Sequence, residues 1–179
     1  TSGIGLLVER ELAALGCLMN AVAKPYGAIV GGAKVSDKIG IIEALAKRAD
    51  HIFIGGAMAY TFLAALGHST GKSKVEQNKL DVAKSLIEFC NENKVEMHFP
   101  IDHVLADEFN EDAASSLSES IPDDKMALDI GPETVSAWSK VLKKCSTIFW
   151  NGPVGVFEWD SFAGGTRGIA EAMVGSNAY

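Results

Sequence analysis

The stretch VGGAKVSDKI, Val30 to Ile39, decides how this chain is read. Before it, Ala28, Ile29 and Val30 form a short apolar run that looks like the end of a buried strand. After it, Ile39, Ile41, Ile42 and Leu45 recur at helical spacing. The stretch is therefore a strand-to-helix turn in which Lys34 and Lys38 open the helix. Four residues apart, two ammonium groups on one helix face repel, and the exposed N–H groups of a helix start add partial positive charge of their own. A bound phosphate chain would relieve both costs. Two solvated lysines offset by Asp37 and Glu43 are the competing explanation.

Outward from this turn, apolar runs and helical patterns alternate. The spacing predicts a strand ending at Val30, a helix from about 38 to 48, a strand over His51 to Ile54 and a helix from about 58 to 66. A longer helix follows from about 78 to 93, then an extended segment over Glu96 to Pro100 and a strand over Ala127 to Ile130. A helix over Glu133 to Lys144, a strand over Thr147 to Trp150 and a helix from about 166 to 173 complete the series. This βα alternation predicts an α/β fold, a mostly parallel sheet flanked by helices in a Rossmann-like three-layer αβα arrangement with right-handed crossovers. The first residues read as an amphipathic helix from about Leu6, and the acidic, serine-rich stretch from Asp107 to Lys125 as a solvated loop.

Glycine recurs at the strand ends. Gly31-Gly32, Gly55-Gly56, Gly131-Pro132 and Gly152-Pro153 each follow a predicted strand. Turn punctuation explains such glycines, and Pro132 before Glu133 is an ordinary helix start. The alternative is that the carboxyl edge of a parallel sheet is cleared of side chains so that a flat or polyanionic ligand can approach the backbone. Further on, FWNGPVGVFEWDSF, Phe149 to Phe162, is rich in glycine and aromatic residues. There Asn151 can donate to an anion, Pro153, Val156 and Phe157 can form an apolar wall, and Glu158 suits a vicinal sugar diol. Aromatic residues that close the core, with Glu158 a surface acid, explain the same residues.

Composition narrows the classes. The 179 residues suit one domain, and a net charge of -7 argues against a general nucleic-acid binder. No apolar run reaches bilayer length, and no secretory leader is evident. Cys17, Cys90 and Cys145 are odd in number and lack metal-ligand spacing, so they read as reduced thiols of a cytoplasmic protein. His51, His68, His98 and His103 share no spacing with one another or with a nucleophile and read as structural or surface residues. Neither a Walker A motif nor a G-x-G-x-x-G turn is present.

Taken in order, GGAKVSDKI, IGGAMAYTFL, GKSKVE, LDIGPET and WNGPVGVFEWDSFAGGT resemble phosphoglycerate kinase across nearly the whole chain. The resemblance implies that residues 1–179 are the carboxyl-terminal, nucleotide-binding lobe, incomplete at its C-terminal end, with residues 1–22 the region of the helix that joins the lobes. It implies reversible phosphoryl transfer between 1,3-bisphosphoglycerate and ADP, giving 3-phosphoglycerate and ATP, with Mg2+ carried on the nucleotide. Lys34 and Lys38 would then act on the nucleotide phosphates and the group in flight, Asn151 would assist there, and Glu158 would hold the ribose hydroxyls. Gly32, Ala33, Gly55, Gly56, Leu128, Pro153 and Val156 would shape the adenine and sugar pocket. The magnesium carboxylate and the phosphoglycerate site would lie outside this chain, which by itself would be inactive and monomeric. Ala57 and Ala127 replace glycines common in the family, and Lys74 stands where many members carry an aliphatic residue near adenine. A dinucleotide-dependent oxidoreductase would need an acid at the end of the second strand, where Gly55-Gly56 stands. A non-catalytic binding module of the same architecture is the remaining alternative.

Overall fold

The computed structural model describes residues 5–9, 16, 22–176 and 178. A four-stranded parallel sheet organises it, built from β1 (Tyr26–Val30), β2 (His51–Ile54), β3 (Glu96–His98) and β7 (Thr147–Asn151) in the order β3-β2-β1-β7. Helices α1 (Ile39–Ala46), α2 (Met58–Ala65), α3 (Leu80–Glu92), α4 (Pro132–Leu142) and α5 (Gly164–Val174) connect and cover it. The three-layer αβα expectation therefore holds.

Strand alternation explains the layers. Ala28 and Val30 of β1 and Ile52 and Ile54 of β2 pack with Ile42 and Leu45 of α1, Phe62 of α2 and Leu86 of α3. The intervening Ile29 and Phe53, with Ile148 of β7, point the other way and pack with Trp138 and Leu142 of α4 and Ile169 of α5. A parallel sheet covered on both faces has no polar side, which is why β1 reads as an unbroken apolar run and is buried at every residue.

Between β3 and α4 the chain leaves the parallel sheet. β4 (His103–Ala106), β5 (Ser116–Ser118) and β6 (Met126–Ile130) form a small antiparallel sheet in the order β5-β4-β6. Two expectations are corrected here. The strand expected over Ala127 to Ile130 is β6, and it belongs to this second sheet. The stretch from Asp107 to Lys125 is mostly exposed, yet it contributes β5, whose three residues, SLS, are too few to establish a strand period.

Helix α4 starts on Gly131 and Pro132, as expected, but its cap comes from elsewhere in the chain. Asp102, 5% exposed, accepts the N–H of Glu133 at 2.9 Å and that of Thr134 at 2.7 Å, together with the Thr134 hydroxyl at 2.6 Å. A carboxylate at a helix start answers both the orphan N–H groups and the dipole. It also uses Gly131, where an added Cβ would lie 2.1 Å from Asp102 Oδ2. The third strand-end glycine therefore serves this cap and is not on the parallel-sheet edge.

Leu6, Leu7, Val8 and Glu9 are helical and exposed, while most of the helix expected from Leu6 onward, and Cys17, lie outside the described residues. Cys90 and Cys145 are free and buried, and burial pushes both thiols up, Cys90 to about 11. No helix among the described residues is long and apolar enough to cross a membrane.

Because Asp102 joins β4 to α4 through three bonds, Asp102→Ala leaves buried donors unpaired. Urea denaturation is expected to show a loss of about 3 kcal/mol, and an unchanged midpoint would refute the capping role.

Candidate functional site

The turns after β1, β2 and β7 meet at the carboxyl edge of the parallel sheet. Gly31 N–H donates to Asn151 O at 2.9 Å, Gly55 N–H to Val30 O at 2.9 Å and Gly56 N–H to Val154 O at 2.9 Å. Gly56 has φ 66°, and a Cβ there would lie 2.6 Å from the backbone N and O of Gly32. Only glycine fits such a position, for want of both space and a favourable φ. The loop 152–156 is then stitched outward by Val154 N–H to Thr166 Oγ1 at 3.3 Å and Val156 N–H to Leu128 O at 2.9 Å.

These turns form one side of a cavity of about 520 Å³. Its wall includes Gly32, Ala33, Gly56, Leu128, Pro153, Val156 and Glu158, seven of the residues expected at the site. Lys34, Lys38, Gly55 and Asn151 are not part of the wall. Gly55 is buried under Val154, and a Cβ on it would lie 2.6 Å from Val154 Cγ1. Lys38 Nζ donates to Asn151 Oδ1, joining the start of α1 to the end of β7, and its stem runs past Gly32, where an added Cβ would lie 3.6 Å from Lys38 Cε. The cation and the amide thus flank the cavity beside Gly32.

Lys34 requires a correction. Helix α1 begins at Ile39, with Lys38 in the capping position and a turn closed by Lys38 N–H to Val35 O at 2.9 Å, so Lys34 precedes the helix and does not share its face. Lys34 is exposed and acts electrostatically on Glu76. Burial pushes the Glu76 carboxyl up, but bonds from Ser36 N–H at 3.1 Å and Ser36 Oγ at 2.8 Å, with Lys34 nearby, hold it below its ordinary value. Glu76 in this way anchors the loop that carries both lysines. Helix α1 has no acid in its first turn and no side-chain cap, and α2 has neither as well.

Several wall residues escaped the sequence. Lys72, Ser73, Phe109 and Met126 line the cavity, together with Lys74, which the resemblance already placed near adenine. Ser73 Oγ accepts the Ala127 N–H at 3.0 Å, and Lys72 N–H donates to Lys125 O at 2.7 Å, which holds this segment against β6. Phe109, 65% exposed, packs on Trp159 with ring centroids 4.5 Å apart. Nothing local marks Phe109, which stands in the acidic stretch, whereas Lys74 is legible as a cation within GKSKVE. Phe157 is exposed and absent from the apolar wall expected of it.

Asp129 lies beneath the loop 152–156. It is 1% exposed and accepts the Gly165 N–H at 2.6 Å and the Ile130 N–H at 2.9 Å. A Cβ on Gly155 would lie 1.9 Å from Asp129 Oδ1. Burial pushes Asp129 up to about 7, against the two N–H bonds that pull it down.

Glu158 is the sole carboxylate among the wall residues, which also include Lys72 and Lys74. One exposed acid among cations is not an oxygen cage for Mg2+, so the described wall does not itself fit that metal.

Fold and site together define an α/β protein whose cleft lies at the carboxyl edge of a parallel sheet, where proteins of this class take their ligands. The family model for phosphoglycerate kinase matches residues 1–179. The chain is 50% identical over 179 residues to the phosphoglycerate kinase of Koribacter versatilis, covering 98% of this chain and 44% of that protein. It is 52% identical over 173 residues to that of Lactobacillus delbrueckii subsp. lactis, covering 94% and 41%. Phosphoglycerate kinase from Coxiella burnetii superposes with a TM-score of 0.93 at 40% identity, covering 98% of this chain and 46% of that one. The enzyme from Pyrococcus horikoshii gives 0.82 at 30% identity, covering 98% and 45%. The chain belongs to the phosphoglycerate kinase family. It spans less than half the length of these relatives.

A carboxyl whose folded value is about 7, against about 4 when unfolded, binds its proton more tightly in the folded state. Its support for the fold is complete below about pH 4 and is lost as pH rises towards 7. Between those limits the wild-type thermal midpoint, compared with that of Asp129→Asn, is expected to fall. Parallel profiles for the two proteins would show that Asp129 does not titrate there.

Proposed function

We propose that this chain is the nucleotide-binding lobe of a phosphoglycerate kinase, that its cavity takes ADP or ATP, and that the parent reaction passes a phosphoryl group between 1,3-bisphosphoglycerate and ADP. The observation that carries the reading is the cation-flanked cavity beside the uncapped start of α1. Exposed N–H groups at a helix start and an ammonium group suit a phosphate chain. In this reading Lys38 and Asn151 hold the phosphates, and Lys34 approaches from the preceding turn. Gly32, Ala33, Gly55 and Gly56 keep the backbone clear beside them.

Leu128, Pro153 and Val156 would give the base and sugar an apolar wall, with Glu158 as the acceptor for ribose hydroxyls. Mg2+ would arrive on the nucleotide. Phosphoryl transfer asks mainly for positioning and charge neutralisation, and this set of residues supplies both to the phosphates. The 3-phosphoglycerate site would belong to the other lobe, and the chain alone would bind nucleotide without turnover. Residues 1–22 would include the helix joining the lobes, an assignment supported by the exposed apolar side chains of Leu6, Leu7 and Val8. The buried, unpaired Cys90 and Cys145 suit a reducing cytoplasm, and a monomer is the expected state.

Titration of ADP should give a dissociation constant that rises about tenfold or more in Lys38→Ala, the loss of a charge-assisted bond. Glu158→Ala should weaken ADP while leaving inorganic triphosphate unaffected. The same nucleotide should raise the thermal midpoint of the wild type. Affinity unchanged in both variants would remove the assignment, and absence of any thermal shift would favour a non-catalytic module.

A further inference from the structure

At the amino-terminal end of the parallel sheet, away from the cavity, three side chains converge. His51 opens β2, and parallel register sets it beside Glu96 at the start of the edge strand β3, while Phe53 is set beside His98. Glu96 and His98 are two residues apart and so project from the same face. His51 Nδ1 lies 3.2 Å from His98 Nε2 and 3.3 Å from Glu96 Oε2, and His98 Nε2 lies 3.9 Å from the same oxygen. The Phe53 ring stacks on His98 at 4.4 Å and 13°, which fixes the plane of that imidazole. Among the described residues this is the one place where three such groups converge.

We propose that His51 Nδ1, His98 Nε2 and Glu96 Oε2 bind a divalent transition-metal ion of the zinc class. Zinc holds imidazole nitrogen at about 2.0–2.1 Å and carboxylate oxygen at about 2.0–2.2 Å, so tetrahedral ligands stand roughly 3.3 Å from one another. Two of the three observed edges match that spacing, and the third closes by a small movement of the exposed Glu96 carboxylate. Two imidazoles and one carboxylate are the donors of zinc-class ions, whereas Mg2+ and Ca2+ prefer oxygen cages. Glu96, with 65% of its side chain exposed, leaves a path for entry and a fourth position for water. The ion would tie β2 to the edge strand β3, where the sheet otherwise has backbone pairing on one side only. The four steps from His51 to Gly55 span about 13 Å of extended chain, so this site is separate from the nucleotide cavity and does not rest on that reading.

The test is a titration of the chelator-stripped protein with Co2+ alone, followed by visible absorption. One equivalent is expected to give the intense spectrum of a four-coordinate ion, displaced by Zn2+ and unaffected by excess Mg2+. Glu96→Gln changes an exposed carboxylate and should weaken Co2+ at least tenfold, as should His51→Asn, and Zn2+ should raise the thermal midpoint of the wild type only. No four-coordinate spectrum, or equal affinity in the wild type and both variants, would overturn the proposal and leave the two imidazoles sharing a proton.

Discussion

A Cβ at Gly31 would stand 2.0 Å from the Pro153 carbonyl oxygen, and one at Gly152 would stand 2.5 Å from that of Gly31. The main chains of the turns after β1 and β7 therefore touch without side chains between them, and Gly56 brings the turn after β2 into the same contact. Hydrogen bonds from Gly31 N–H to Asn151 O and from Gly56 N–H to Val154 O run between the same turns and satisfy those backbone groups away from water. The cavity depends on this packing. Any side chain at the junction would push the loop 152–156 off the sheet and carry Pro153 and Val156 away from Leu128.

Helix starts divide by location. Away from the lysine-bearing edge, α4 is capped by Asp102, and the first turn of α5 is held at Gly165 by Asp129. Both acids come from the antiparallel excursion, so the second sheet locks the helices that cover one face of the first. At the edge itself, α1 and α2 begin with neither an acid nor a side-chain cap. Positive potential is quenched where the fold needs rigidity and kept where the cavity opens. Glu76 follows the same logic by tying down the loop through Ser36 while standing outside the cavity wall.

Much of this was legible from local pattern. The runs at Ala28 to Val30 and His51 to Ile54, followed by apolar residues at helical spacing, report strands buried on both faces and helices that cover them. Double glycines after β1 and β2 mark turns where Cβ atoms are excluded. Other features left no local trace. Phe109 reaches the cavity wall because the antiparallel sheet and Trp159 bring it there. Lys34 looked helical because Lys38 lies four residues on, but the turn closed by Val35 delays the helix to Ile39. His51 and His98 are separated by a long stretch of sequence and meet only because β2 and β3 pair.

Local pattern alone set the order of the parallel strands and the helices, the two-faced burial of those strands and the bare turns at their ends, because periodicity and glycine geometry act over a few residues. Tertiary structure decided which strands share a sheet, which carboxylate caps which helix, and which distant side chains stand together. Those outcomes follow from non-local pairing and register, whose energies come from contacts between segments that no short window of sequence contains.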